Sequence, residues 1–208
     1  MSSALARRWA VPALLLAAAS GAAAEPPSAR DVLSRYVACD APIASYAVPV
    51  HLDVRLRKLI GLRFGLNGMQ YFKRPGRLAL EIRSVPEQYR RLFGEIGTPL
   101  TWTERYNLRV AGGGPGTTHI EGTPKHAGDI ARLALDVPAD PRAPLQGTWY
   151  TRDGVAIAMT IDEQTVGAYE LPKRTQVDLA TSGYHVHAVF NYGDYTVNTA
   201  VADSLFGT

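Results

Sequence analysis

The sequence predicts a mainly β (α+β) fold: a curved antiparallel sheet whose concave face is covered by short helices. Three observations carry this expectation. Apolar and polar residues alternate with period two through most of the chain, which buries one face of each strand and wets the other, as in an antiparallel sheet. Glycine and proline are abundant, with 19 and 14 among 208 residues, more than a helical bundle tolerates and what short strands and turns need. Only two stretches carry a helical period. About ten one-sided strands must hide their apolar faces, and two short helices are too small to fill the inner side of a sheet completely, so the fold leaves room for a cavity.

The elements follow in order. Met1 to Ala24 has the three parts of an export signal: Arg7 and Arg8, an apolar run from Trp9 to Ala19, and Ala22-Ala23-Ala24 before Glu25. Its uncharged stretch includes Pro12, Ser20 and Gly21 and is shorter than the roughly 20 apolar residues of a bilayer span. Cleavage after residue 24 is expected, leaving residues 25–208 as one domain outside the cytoplasm. Ser28, with Asp31 three residues on, starts a helix over residues 28–38 with Val32, Leu33, Tyr36 and Val37 on one face.

Val48, Val50, Leu52, Val54 and Leu56 then alternate with Pro49, His51, Asp53, Arg55 and Arg57. The parity breaks at Lys58-Leu59 and resumes at Ile60, Leu62, Phe64 and Leu66. Arg74-Pro75-Gly76 is a turn before the strand of Leu78, Leu80 and Ile82. Ser84-Val85-Pro86-Glu87 opens a second helix, with Tyr89, Leu92, Phe93 and Ile96 as its stripe, weakened or ended by Gly94 or Gly97. Further strands are expected at 102–110, 131–137, 149–151, 155–161, 175–179, 184–190 and 195–198, with Asp153-Gly154 as a hairpin turn and residues 112–116 as a loop.

Charge excludes one large class of partner. The formal charge is +3, but Arg7 and Arg8 belong to the leader, and without them 20 basic side chains face 19 acidic ones. So balanced a chain has no footprint for nucleic acid. A single cysteine, Cys39, excludes an internal disulfide and any multi-cysteine zinc site; it reads as a small packer or free thiol.

The stretch from Gly68 to Leu78, GMQYFKRPGRL, follows one long strand and precedes another. It resembles the strand-turn-strand signature of the LolA-like superfamily of periplasmic lipoprotein carriers. The order of leader, helix, strands, helix and further strands is similar to that family over most of residues 28–200. The resemblance implies an unclosed half-barrel whose concave face is covered by helices and holds lipid acyl chains. It supplies no residue-by-residue match to a functional arginine or lid contact, and the stretches 112–128 and 139–146 are longer and richer in Pro and Gly than the family order requires.

On that reading the apolar lining is expected from Leu52, Val54, Leu56, Leu62, Phe64, Leu78, Leu80, Ile82, Trp102 and Tyr106, with Tyr89, Leu92 and Phe93 as the lid. The expected protein is a monomeric periplasmic carrier, not an enzyme, with no cofactor and no metal. It would meet lipid or lipoprotein acyl chains and a membrane donor or acceptor protein. An envelope sensor acting through a protein partner is the alternative, and a hydrolase on the same barrel a third.

Catalytic patterns are thin. His185 and His187 lie two apart on one strand and face the same way, but on the wet face and without an identifiable third ligand. Ser182 with these histidines and Asp178 has the composition of a triad but no nucleophile elbow. The glycines of 112–116 lack the Lys-Ser/Thr pair of a phosphate loop. Asp162-Glu163 is expected in a turn, as solvated acids.

Overall fold

The structure, a computed structural model, describes residues 27–37, 43–57, 61–82, 84–85, 87–181 and 183–206. The leader, Cys39, the parity break at Lys58-Leu59 and Ser182 lie outside the described residues. The described strands join one 11-stranded antiparallel sheet. They are β1 (Ser45–Arg57), β2 (Gly61–Lys73), β3 (Arg77–Glu81), β4 (Tyr106–Gly114), β5 (Thr117–Pro124), β6 (Ile130–Pro138), β7 (Leu145–Thr151), β8 (Ala156–Val166), β9 (Tyr169–Ala180), β10 (His185–Tyr192) and β11 (Thr196–Val197).

The order is β3-β2-β1-β10-β9-β8-β7-β6-β5-β4, with β11 on the end of β1. This is an up-and-down meander with one breach. The chain leaves the sheet at one edge, β3, and rejoins it at the other, β4. Between them run α2 (Glu87–Ile96) and α3 (Pro99–Arg105). Helix α2 touches both β3 and β6, first and eighth in the order, so the sheet curls around it into an unclosed half-barrel. Helix α1 (Ala29–Val37) touches β4, β6 and β9 from the same inner side.

The core is the inner face. Register puts Leu52, Phe190, Thr175, Ile161 and Leu145 in one row across β1, β10, β9, β8 and β7, all buried. Leu33, Tyr36 and Val37 of α1 complete it from inside. The expected first cap is present: the Asp31 N–H donates to Ser28 Oγ at 3.2 Å, and Ser28 Oγ donates to Asp31 Oδ2 at 2.7 Å.

Several expectations are corrected. Residues 99–105 form α3, so the strand expected from Trp102 begins at Tyr106. Thr98 precedes Pro99 at the helix start, and its N–H donates to Thr101 Oγ1 at 3.0 Å. Of the expected glycine loop, residues 112–114 end β4 and 115–116 form the turn to β5, which occupies much of the stretch expected to be irregular. The pair Asp162-Glu163 sits within β8, at a register shift against β9 rather than in a turn.

Candidate functional site

Three rungs of apolar side chains cross β10, β1 and β2 on the inner face: Phe190–Leu52–Leu66, Ala188–Val54–Phe64 and Val186–Leu56–Leu62. Their cover thins from one rung to the next. Leu52 and Phe190 are each 4% exposed, whereas Phe64 is 45% and Leu62 54% exposed. The helices close over the first rung, where Phe93 of α2 packs edge-on against Phe190 with ring centroids 5.4 Å apart. Beyond it the apolar strip runs on uncovered.

A cavity of about 490 Å³ opens beside the covered rung, between the sheet and α2. Met159, Ile161 and Phe190 come from the sheet, and Leu78, Leu80 and Phe93 from β3 and α2. Leu205 and Phe206 of the C-terminal 3₁₀ helix (Asp203–Phe206) also line it. That helix is pinned by Asp203, which takes Lys73 Nζ and Arg77 Nη2, each at 2.8 Å, while the Arg77 guanidinium stands 5.2 Å from the Phe206 ring centre. The exposed side chains of Glu87, Arg90 and Arg91 contribute to the same lining. The buried Gln70 is satisfied by donating to Tyr46 Oη at 2.8 Å.

The sequence-expected residues separate into groups. Leu78, Leu80 and Phe93 line the cavity. Leu52, Val54, Leu56, Leu62 and Phe64 form the rungs. Tyr89 and Leu92 line a second hollow of about 350 Å³ elsewhere on α2, where Tyr89 Oη meets Tyr184 Oη at 3.4 Å. Ile82, Trp102 and Tyr106 are buried. The last two hold α2 by its end: Trp102 Nε1 donates to Ile96 O at 3.0 Å and Tyr106 Oη to Glu95 O at 2.9 Å, while Arg105 donates to Gly94 O. Three carbonyls that a helix terminus leaves without partners are thereby satisfied. Met159, Ile161, Leu205 and Phe206 were not expected at the site; their signal was the same alternation and a terminal apolar pair.

His185 and His187 stand on the outer face, with Asp178 Oδ1 3.3 Å from His185 Nε2 and 2.9 Å from His187 Nδ1. Both rings share that single oxygen. Among the described residues no group of three or more His, Cys, Asp or Glu side chains could hold a metal ion.

Glu163 is the unusual acid. It shares the inward parity of Ile161, opposite Pro172 and beside the bulge that Lys173 makes in β9; it is half-buried, and among the described residues its Oε2 has no hydrogen-bond partner. Burial, reinforced by the nearby charges of Glu170 and Asp162, pushes its carboxyl from the ordinary 4.5 up to about 8. Burial likewise raises the hydroxyls of Tyr36, Tyr46 and Tyr195, and Tyr192 to about 12, and each of these tyrosines feels the Glu163 charge.

The architecture is that of known proteins. Neither a family model nor a curated protein matches the sequence. Solved structures do. A LolA superfamily protein from Nitrosomonas europaea is similar over 88% of this chain and 98% of its own, with a TM-score of 0.56 and 15% identity. A DUF1329 family protein from Desulfovibrio piger is similar over 85% and 94%, with a TM-score of 0.58 and 13% identity. A protein from Vibrio parahaemolyticus described as an outer membrane lipoprotein-sorting domain is similar over 85% and 94%, at 0.54 and 11%. The chain has the LolA-like fold. Among the described residues no helix is long and apolar enough to cross a membrane.

Proposed function

We propose that this protein is a periplasmic carrier that holds the acyl chains of a lipid or lipoprotein between its sheet and α2. The observation that supports this reading is the continuous apolar strip, which leads from the cavity beside Phe190 to the uncovered Phe64 and Leu62. A closed core would cover its large apolar side chains; here two of them stay wet at the end of a row whose other end borders a half-open cavity.

The energetics suit a carrier. At about 0.8 kcal/mol per buried CH₂, a sixteen-carbon chain gains on the order of 10 kcal/mol on leaving water. A volume near 490 Å³ falls within the ordinary range of ligand cavities, roughly 300–1,000 Å³. Beside the cavity, Arg90 offers positive charge to the polar end of a cargo, while Arg91 is paired with Asp129 at 3.3 Å. Transfer to and from a membrane or a membrane protein would use the uncovered end of the strip.

Native mass spectrometry of the purified protein, with solvent extraction of bound lipid, tests the reading. Extractable lipid, or saturable enhancement of a hydrophobic fluorescent probe that fatty acid displaces, is the expected result. Apo protein alone, together with no probe binding, would overturn it.

A further inference from the structure

The outer face of the same sheet carries a further hollow, of about 570 Å³, lined by Arg55, Arg63 and Arg174 with Asp53, His187 and Asn191. From this hollow we infer a binding site for a phosphate-class oxyanion, on the side of the sheet opposite the acyl cavity. It stands independently of the carrier reading.

Charge placement carries the inference. Arg55 and Arg63 are direct cross-strand partners on β1 and β2, an arrangement of like charges that costs stability when nothing lies between them. Both are exposed, as is Arg174, and among the described residues none of the three has a carboxylate within ion-pair distance. The nearby acids are already engaged. Asp53 sits 3.4 Å from His51 Nε2 and accepts from Asn191 Nδ2 at 3.3 Å, while Asp178 faces both His185 and His187. Three guanidiniums therefore line one space against a single carboxylate, Asp53, which is itself held by His51 and Asn191, and the hollow keeps an excess of positive charge.

Shape agrees with charge. Gly65, which has no side chain, and Val189, 8% exposed, border the hollow between the long arginine side chains. A guanidinium presents a planar fork of N–H donors that matches the paired oxygens of a phosphate, which a compact ammonium does not. Phosphate chemistry has two sources, a free oxyanion or the headgroup of an anionic lipid, and the two are separable by experiment.

The test titrates the purified protein with inorganic phosphate by calorimetry and, separately, with phosphatidylcholine vesicles prepared with and without phosphatidylglycerol. Four proteins are compared: wild type, Arg55→Gln/Arg63→Gln, Asp53→Asn, and a control pair of equal charge change, Arg30→Gln/Arg142→Gln, both exposed and remote from the hollow. Saturable phosphate binding weakened roughly tenfold or more in the first variant, tightened in Asp53→Asn and unchanged in the control supports the site and a free oxyanion. Vesicle binding that needs phosphatidylglycerol and is lost only in the first variant supports the site and a lipid headgroup. Binding to neither probe, or equal weakening in the control pair, overturns the inference. All substitutions fall on exposed side chains, so circular dichroism is expected to report the same fold for all four.

Discussion

Replacing Glu163 by Gln is expected to stabilise the protein at neutral pH and to remove a pH dependence from its stability. The folded protein holds the Glu163 proton up to about pH 8, whereas the unfolded chain releases it near the ordinary 4.5. Between those values the folded state binds more protons than the unfolded one, so stability falls as pH rises through the window and levels off above it. At pH 7 the cost amounts to about 3 kcal/mol, an upper figure because the side chain keeps some exposure. A glutamine has the same shape and no charge to desolvate. Urea unfolding of both proteins at pH 5, 6, 7 and 8 measures the effect: the wild type is expected to lose stability across the series and the variant to stay level. A wild type with flat stability, or a variant less stable than wild type at pH 7, would refute the reasoning, because either result requires the ionised carboxylate to have a favourable partner.

The other predictions concern the site and its supports. Leu62→Ser/Phe64→Ser is expected to leave chemical stability nearly unchanged, since both side chains are already wet, while lipid retention after gel filtration falls severalfold. Leu92→Ala/Phe93→Ala is expected to reduce probe affinity more than His185→Ala/His187→Ala; the reverse ranking in a fluorescence titration would move attention to the outer face. Asp203→Asn is expected to loosen the C-terminal helix and speed ligand exchange. Because Lys73 and Arg77 hold the Asp203 carboxyl below its usual range, the wild-type restraint persists down through that range and is lost only as the pH falls below it, which stopped-flow release rates can follow. Trp102→Ala is expected to cost about 3–5 kcal/mol in a denaturant melt, because a fully buried indole leaves a cavity and the Ile96 carbonyl keeps only the longer bond from Tyr106 Oη, at 3.4 Å.

What the sequence could show depended on how much apolar signal each element carries. Strand β1 alternates over its whole length and its inner face is legible from Val48 to Leu56. Strand β5 has Ile120 as its one large apolar inward residue; its inward neighbour is Gly122, beside Leu108 and Leu133, so two residues' worth of pattern had to announce a strand. Helix α3 left a legible start in Thr98-Pro99, but Thr101, Trp102 and Thr103 favour strands, and what decides for helix is the place of the Trp102 ring beside Trp149, 5.3 Å between centroids. Glu163 keeps the inward parity of Ile161, and what the sequence hides is its pairing: Pro172 opposite has no N–H to offer the ladder, and the bulge at Lys173 of β9 falls beside it. Alternation alone would put Glu163 and Ile161 on the same face, yet it cannot reveal a register shift set by a residue on another strand.

The breach between β3 and β4 explains why the apolar strip is uneven. In a closed barrel every inner residue would be covered by the opposite wall. Here the opposite wall is the short α2–α3 connection, fixed at one end by Trp102, Arg105 and Tyr106 gripping the last carbonyls of α2, and at the other by the cover of Phe93 on Phe190. A wall of two short helices reaches the first rung and stops, while β1 and β2 continue to Arg57 and Gly61. The exposed Phe64 and Leu62 are thus a consequence of strands longer than the helices that cover them. With about half of each residue exposed, they forgo on the order of 1 kcal/mol per side chain relative to full burial. A bound acyl chain lying along the rungs would supply that missing cover, so lipid is expected to raise the melting temperature of the wild type more than that of the Leu62→Ser/Phe64→Ser variant. Equal shifts in the two proteins would place the cargo wholly inside the cavity and detach the strip from binding.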